Sequence, residues 1–350
     1  MKKLLMLLSV FALVFALVAC GGNGGGAGGN GGGGGADAVD PILIQFAHVE
    51  PEDTTIHRTI EMFRDYVEER SGGRIQINIL SDGVFGGDRE AIEGVSLGVI
   101  QMAQPVTSAL TSYSDDFMIL DLPFMFDSRA ASYYALDGEL GEALNAVLPQ
   151  FGLRNIGFND NGLRQMTNNV RPINVPEDLH GVKMRVMESP VFIRMFDLLG
   201  ANPVPMSFTE VYVALQQGTV DGQENGAGLI LASRFNEVQR YMSLTGHVYS
   251  VNATLINNSL FESLDAELQQ ILLSGAAEFL VRQQRQMEAE GEAAAIDELR
   301  SLGMQVNEVS PANMQLFRDL VYPMYEEYKD RIRPELFEMA ARANAAMAGN

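Results

Sequence analysis

The segment "GVKMRVM" (181–187) puts Arg185 inside a run that reads as a β-strand, with Val182, Met184 and Val186 on one face and Lys183, Arg185 and Met187 on the other. An arginine in a core sheet requires an anion, and its planar fork matches a carboxylate. A salt bridge to an acidic neighbour would serve equally well. Arg164, in "NGLRQMTNN", poses the same question. Further on, "DGQEN" offers Gln223, Glu224 and Asn225 at a strand end, either as ligand-binding groups or as a plain polar loop. Between these segments a helix opens at Ser207, where free backbone N–H groups attract anions. Phe208 sits in its first turn, as core or as ligand wall. One motif suggests catalysis: Gly94-Val95-Ser96-Leu97-Gly98 matches the G-x-S-x-G of serine hydrolases. A nucleophile elbow needs a strand before the serine and a helix after it, and the order here is reversed. The glycine spacing is explained by a helix C-terminus.

These residues hang on a repeated frame. "PILIQFAHV" (41–49) is a nearly continuous apolar run, as in a buried strand. Ile56, Ile60, Phe63 and Val67 follow at helical spacing up to Gly72 and Gly73. "RIQINIL" alternates as a strand, Asp88 is placed to cap a helix over 89–97, and Val99–Ala103 is the next strand. The second half repeats the order: strand 181–187, a helix from Pro190 to Gly200, extended "NPVPM", a helix whose Ser207 and Glu210 form a capping box, and a strand over Thr219–Gln223. "GGDREAIEGVSLGVIQMAQP" and "MSFTEVYVALQQGTVDGQEN" even align, Glu90 on Glu210 and Gly98 on Gly218. Two such α/β units each expose strand ends and helix N-termini, and two facing edges make a cleft. From Ser263 to about Leu302 one amphipathic pattern (Leu268, Leu272, Ala276, Leu280, Ile296, Leu299) predicts a helix of about 50 Å or more, long enough to cross both units. Ser263 is placed to cap it, and Gly275 and Gly291 are candidate kinks or breaks.

The chain has 350 residues with 47% apolar and 20% charged, an ordinary globular balance and enough for two domains. A net charge of −21 argues against a nucleic-acid partner. One cysteine excludes internal disulfides and a cysteine zinc cage, and four histidines without H-x-x-x-H spacing argue against a histidine metal site. Lys2 and Lys3 precede an apolar run over 4–19 that is short for a membrane span. The run ends Leu17-Val18-Ala19-Cys20, which resembles the lipobox of bacterial lipoproteins, where the cysteine is acylated and becomes the mature N-terminus. Residues 1–19 are then a signal peptide. Residues 20–39 are the lipidated cysteine and a glycine-rich tether reaching about 20 Å.

In the order "VEERSGGRIQINIL", "FGGDREAIEGVSLG", "LDLPFMF", "GLRQMTNNVRPI" and "HGVKMRVMESPVFIRMFDLLGANPVPMSFTEVYVALQQGTVDGQEN", the chain resembles the solute receptors of TRAP transporters, the DctP type, from about residue 43 to 330. The resemblance implies an α/β fold of the two-domain periplasmic-binding-protein kind, type II-like, with mixed sheets, an interdomain cleft and a long helix spanning both domains. Residues 40–161 plus 251–290 would form one domain and 162–250 plus 291–345 the other, with crossings near Asn161 and Ser250. It implies a non-enzymatic receptor without cofactor or metal that closes on a small organic acid and delivers it to an ion-coupled membrane permease. By the family's pattern Arg185 holds the ligand carboxylate bidentately, Arg164 supports it, and Asn225 with Glu224 closes the "GQEN" motif. Phe208 packs on the ligand, and His48, Asp88 and Thr107 line the first domain's wall. Two departures stand out: Gly226 replaces the usual proline after "GQEN", which loosens the chain there, and Pro105 precedes Thr107. A sensor subunit serving a signalling kinase, or a lipid-anchored serine hydrolase using Ser96, are the alternative functions.

Overall fold

The structure, a computed structural model, describes residues 40–349; the signal segment, Cys20 and the tether lie outside the described residues. From Asp40 onward the chain is one compact unit. Its first part runs β1 (Ile42–Ala47), α1 (Thr55–Arg70), β2 (Ile75–Leu80), α2 (Asp88–Ser96) and β3 (Met102–Ala103). Three 3-10 turns and helices α3 (Arg129–Leu136) and α4 (Glu139–Asn145) lead to the long strand β4 (Leu153–Asn168). The second part runs β5 (Lys183–Val186), α5 (Pro190–Leu198), β6 (Asn202–Pro205), α6 (Val211–Gln216) and β7 (Gly222–Gly226). Then come α7 (Ala227–Ala232), β8 (Tyr241–Leu244), β9 (Tyr249–Asn257) and α8 (Asn258–Ser263). The chain ends with α9 (Ala266–Gly275), α10 (Gln284–Ser301), β10 (Gln305–Glu308), α11 (Pro311–Val321), α12 (Pro323–Tyr328) and α13 (Pro334–Met347).

The repetition in the sequence is a repetition of topology. β1 lies parallel between β2 and β3, and β5 lies parallel between β6 and β7. Each three-stranded core ends on an antiparallel partner, β9 against β3 and β4 against β7. β4 and β9 pair with each other, so the mixed sheets join in the order β2-β1-β3-β9-β4-β7-β5-β6, with β8 and β10 beside β4. The first stretch of β4 (153–163) pairs with β9 and the last (164–168) with β7. Bulges between Asn155 and Phe158 and between Asp160 and Leu163 bend it on the way, since an extra residue re-aims a strand. There the Asn161 amide donates to the Ser250 hydroxyl at 3.4 Å.

The long helix is continuous but not uniform. α9 passes into a π-helical segment, Ala276–Gln283, and then into α10, together about 54 Å. Leu268, Leu272, Ala276 and Leu280 pack in the core around β1 and α1, whereas Ala295 and Leu299 pack in the core around α6 and α7. One rod therefore serves both lobes. Gly275 is the last α-helical residue before the change of pitch, and a Cβ there would lie 2.8 Å from the Tyr66 ring, while Gly291 is an ordinary interior helical residue. Asp265, not Ser263, caps this helix, accepting from the Leu268 N–H at 2.9 Å; Ser263 closes the separate α8.

Three further expectations are corrected. Gly87, not Asp88, is the cap of α2, which frees the Asp88 carboxyl. Ser207 and Glu210 make no capping box: a 3-10 turn, Phe208–Glu210, precedes α6, and the Ser207 hydroxyl bonds to Thr209 instead. The strand placed at Thr219–Gln223 begins at Gly222, because Thr219 still bonds back to Ala214 at the helix end. The C-terminal α13 packs on α3 and α4. No helix of the described residues is long and apolar enough to cross a membrane.

The bend in β4 depends on Gly162. Its φ is +85°, and a Cβ would lie 2.9 Å from Gly226 Cα. Gly162→Ala should destabilise the protein by about 1–3 kcal/mol, read as a lower urea midpoint. An unchanged midpoint would show that the crossing tolerates a side chain.

Candidate functional site

The carboxyl ends of the parallel strands of both lobes face one another across a cleft of about 580 Å³, open mouth included. Glu50 follows β1, Gln104 follows β3, Met187 and Glu188 follow β5, Met206 and Ser207 follow β6, and Asn225 lies in β7. Strand β5 presents its faces as expected: Arg185 and Met187 turn into the cleft, and Lys183 is exposed at the strand start. Arg185 is 3% exposed. Its Nε and one Nη donate to the Met206 carbonyl at 3.0 and 2.8 Å, which fixes the plane of the fork. The other nitrogen, Nη1, is buried without a hydrogen-bond partner. Burial pulls the guanidinium down to about 10, so it stays charged at neutral pH. A buried cation with an open donor has strong reason to take an anion.

Arg164 is a different case. It is fully buried and also lines the cleft, but its fork is engaged by Glu224, with Nε on one carboxylate oxygen and Nη2 2.9 Å from the other. Its Nη1 donates to Ser250 Oγ at 3.2 Å, and the guanidinium lies 5.6 Å from the Phe192 ring centre. Burial by itself would raise the Glu224 carboxyl, yet Arg164 and His247, whose Nε2 lies 3.2 Å away, hold it below the ordinary range. Glu224 thus faces Arg164 and not the cleft. Along β7 the neighbouring residues point the other way, and the Asn225 amide donates to Gln223 Oε1 at 2.6 Å from the cleft wall. Phe208 is half-buried on the same wall, tilted against Phe235 with 6.1 Å between ring centres.

In the first lobe only Asp88 of the three expected residues lines the cleft. It accepts from the Val106 N–H at 3.4 Å. The protein around it pushes its carboxyl up to about 7, against the opposing pull of Arg185. His48 lies one layer behind, its Nε2 3.1 Å from His57 Nδ1, and burial beside that ring lowers it to about 3. Thr107 turns away and donates to the Val251 carbonyl at 3.0 Å, while its neighbours Val106 and Ser108 line the space. Sequence reasoning missed Glu50, Gln104, Ser108, Asn161 and Asn252. Glu50 was within reach: strand ends carry sites, and β1 ends at Ala47, so the loop that follows, Glu50 as well as His48, held candidates. Asn252 and Ser108 carried no local signal. Gly226 is buried, in register with Arg164 and capping α7, where a Cβ would lie 2.9 Å from the Asn161 carbonyl oxygen. Close packing of backbones, not looseness, is what the missing proline allows.

Residues 46–331 match the family described as bacterial extracellular solute-binding protein, family 7 (DctP). The chain belongs to this family. It is 35% identical over 263 residues to the 2,3-diketo-L-gulonate-binding periplasmic protein YiaO of Escherichia coli (strain K12), covering 75% of this chain and 80% of that one. Its fold is similar to the sugar acid binding protein DctPAm of Advenella mimigardefordensis in complex with galactonate (TM-score 0.85, 31% identity, 88% of this chain and 99% of that one). It is similar too to a TRAP periplasmic solute binding protein of Shewanella oneidensis with bound succinate (TM-score 0.84, 28% identity, 87% and 100%).

In this DctP-family chain the cleft is drawn shut along one edge. Arg89 of α2 donates to the Glu188 carbonyl at 2.8 Å and lies 3.5 Å from its carboxylate. Gly83 and Gly87 let the loop before α2 approach the 207–209 turn: a Cβ on either would fall 2.5 Å from Thr209 or Ser207. Ser96 ends α2 with its hydroxyl on the Phe151 carbonyl at 2.7 Å, away from the cleft, so the hydrolase motif is a helix end.

Glu50 is pushed up to about 8 by burial and by the neighbouring Glu288 and Asp88, opposed by hydrogen bonds from Thr54 and Asn252. The folded protein therefore keeps a proton there that the unfolded chain releases near the ordinary value of 4.5. Between these two values the native state binds more protons, so ligand-free stability falls as pH rises through that window. Glu50→Gln should remove this part, on the order of a few kcal/mol at its upper end. Urea midpoints at pH 5 and pH 8 should then differ less in the variant than in wild type; equal differences would place the titration elsewhere.

Proposed function

We propose that this protein is an extracytoplasmic receptor that closes its two lobes on a small organic acid and presents it to a TRAP-type, ion-coupled membrane permease. The observation that carries this is Arg185: buried, oriented by Met206, and left with one free donor in the cleft. The relatives' galactonate, diketogulonate and succinate share a carboxylate, the group this fork fits. Asn225 and Phe208 complete the wall on the Arg185 side and Asp88 faces it from the other lobe. Arg164 acts through position and charge, since Glu224 already occupies most of its donors. A ligand touching both lobes would favour the closed form, which Arg89 and Glu188 also hold.

Calorimetry with organic acids on Arg185→Ala, Arg185→Lys and Arg164→Ala tests this. Loss of one partner of a buried pair typically costs about 3–5 kcal/mol, roughly a hundred- to several-thousand-fold in Kd. Arg185→Ala should lose detectable binding while its circular dichroism stays native. Lysine keeps the charge without the fork and should remain much weaker than wild type. Near-native affinity in folded Arg185→Ala would overturn the carboxylate assignment.

The same proposal places the receptor on the outer face of the membrane through an acylated Cys20, with 21–39 as the tether. Two or more acyl chains make such anchoring stable. Cys20→Ser should yield a released or unprocessed protein on membrane fractionation. A processed variant that stays on the membrane would remove the anchor from the proposal.

A further inference from the structure

Relatives with this fold hold both a polyhydroxylated monocarboxylate, galactonate, and a dicarboxylate, succinate, so the fold leaves the class of acid open. The cleft of this chain is less neutral on the point. Of its two guanidinium groups, Arg164 is matched by Glu224, which leaves Arg185 as the cleft's open cationic fork among the described residues. Across from it the first lobe contributes two carboxyl groups, Asp88 and the 5%-exposed Glu50. Asp88 is near enough to act electrostatically on both Arg185 and Glu50. The third lining carboxylate, Glu188, is held by Arg89. The rest of the polar lining is neutral and mixed in hydrogen-bonding sense: Gln104 has an amide donor and Asn252 an amide acceptor, both buried and both without partners.

We infer that the cleft is built for a monocarboxylate whose remaining carbons carry hydroxyl groups, as in an aldonic acid, and that it rejects dicarboxylates. This rests on the proposal that Arg185 holds a carboxylate. A hydroxyl both donates and accepts, so it satisfies Gln104, Asn252 and a carboxyl group alike. A second carboxylate only accepts. It would face Asp88 and Glu50 with no free cation beside it, and would leave the Asn252 oxygen unpaired. Burial favours the protonated form of both acids, pushing Asp88 up to about 7 and Glu50 up to about 8. A protonated carboxyl can still donate to a hydroxyl; a dianion would gain that contact only by keeping both acids protonated.

Titration calorimetry at pH 7.5 with threonate, gluconate and galactonate against succinate, malate and butanoate decides the matter. At least one aldonate should bind more tightly than either dicarboxylate by about a hundred-fold or more, and unhydroxylated butanoate should also be weak. Glu50→Gln combined with Asp88→Asn should narrow the gap by raising succinate affinity at least about ten-fold. A dicarboxylate binding as tightly as the best aldonate would overturn this inference and leave the carboxylate receptor standing. Binding of no acid from either group would sink that receptor reading and this inference with it. The same Arg185→Ala protein separates these cases, since any acid held by the fork must lose affinity in it.

Discussion

Two guanidinium groups lie in the wall of one cleft, and the fully buried carboxylate Glu224 bonds to only one of them. Its geometry commits it to Arg164, the fork engaged on both oxygens with His247 supporting from behind. An isolated buried ion would be ruinous, and a pair is tolerable only when its remaining hydrogen-bonding capacity is filled, as Ser250 on Arg164 and His247 on Glu224 help to do here. Because Arg164 comes from β4 and Glu224 from β7, the pair also clamps the place where β4 changes lobes. The consequence for function is indirect. With Glu224 spoken for, Arg185 has a backbone carbonyl as its hydrogen-bond partner and Asp88 acting on it by charge, and its Nη1 is left without a partner.

The architecture around this contact follows from repeating one simple unit. A parallel three-stranded core with its connecting helices puts loops and helix starts at one edge, and a second copy facing it turns that edge into a cleft. Two long strands and one long helix connect the copies. β4 and β9 can cross because bulges and Gly162 let the backbone bend where a regular strand would run straight. The helix answers the same need by packing apolar residues in two separate cores, with a π-helical segment over Ala276–Gln283 on the way. Small residues recur wherever the lobes approach: Gly83 and Gly87 at the mouth, Gly162 against Gly226 at the crossing.

The rim and the interior divide the electrostatic work. An overall charge of −21 would repel an anion at long range, but screening confines most of that field to the surface. Inside, short-range geometry decides. Arg185 is close and oriented, whereas Asp88 and Glu50 sit in surroundings that favour their neutral forms. An acidic protein can in this way offer a cationic interior.

The sequence alone determined the repeated β-α-β-α-β order, the glycine helix stops, the rod across both halves and the strand position of Arg185. All of these arise from local periodicity or from the conformational demands of single residues. Arg185, Arg164, Asn225 and Phe208 could be singled out by residue type and by the family resemblance, although the helix start at Phe208 and the strand before Asn225 were misplaced. Tertiary structure alone decided which arginine is paired, because the Glu224 that settles it is 60 residues away from Arg164. It also decided that His48 and Thr107 turn away from the cleft while Glu50 and Ser108 turn toward it. Past Ala47 the chain is no longer a regular strand, so alternation cannot carry the face of His48 to Glu50, and a 3-10 turn re-aims Thr107 and Ser108 in a way no alternation pattern records. Asn161 and Asn252 reach the cleft only because two strands cross there, a fact of strand pairing across some ninety residues that no local stretch contains.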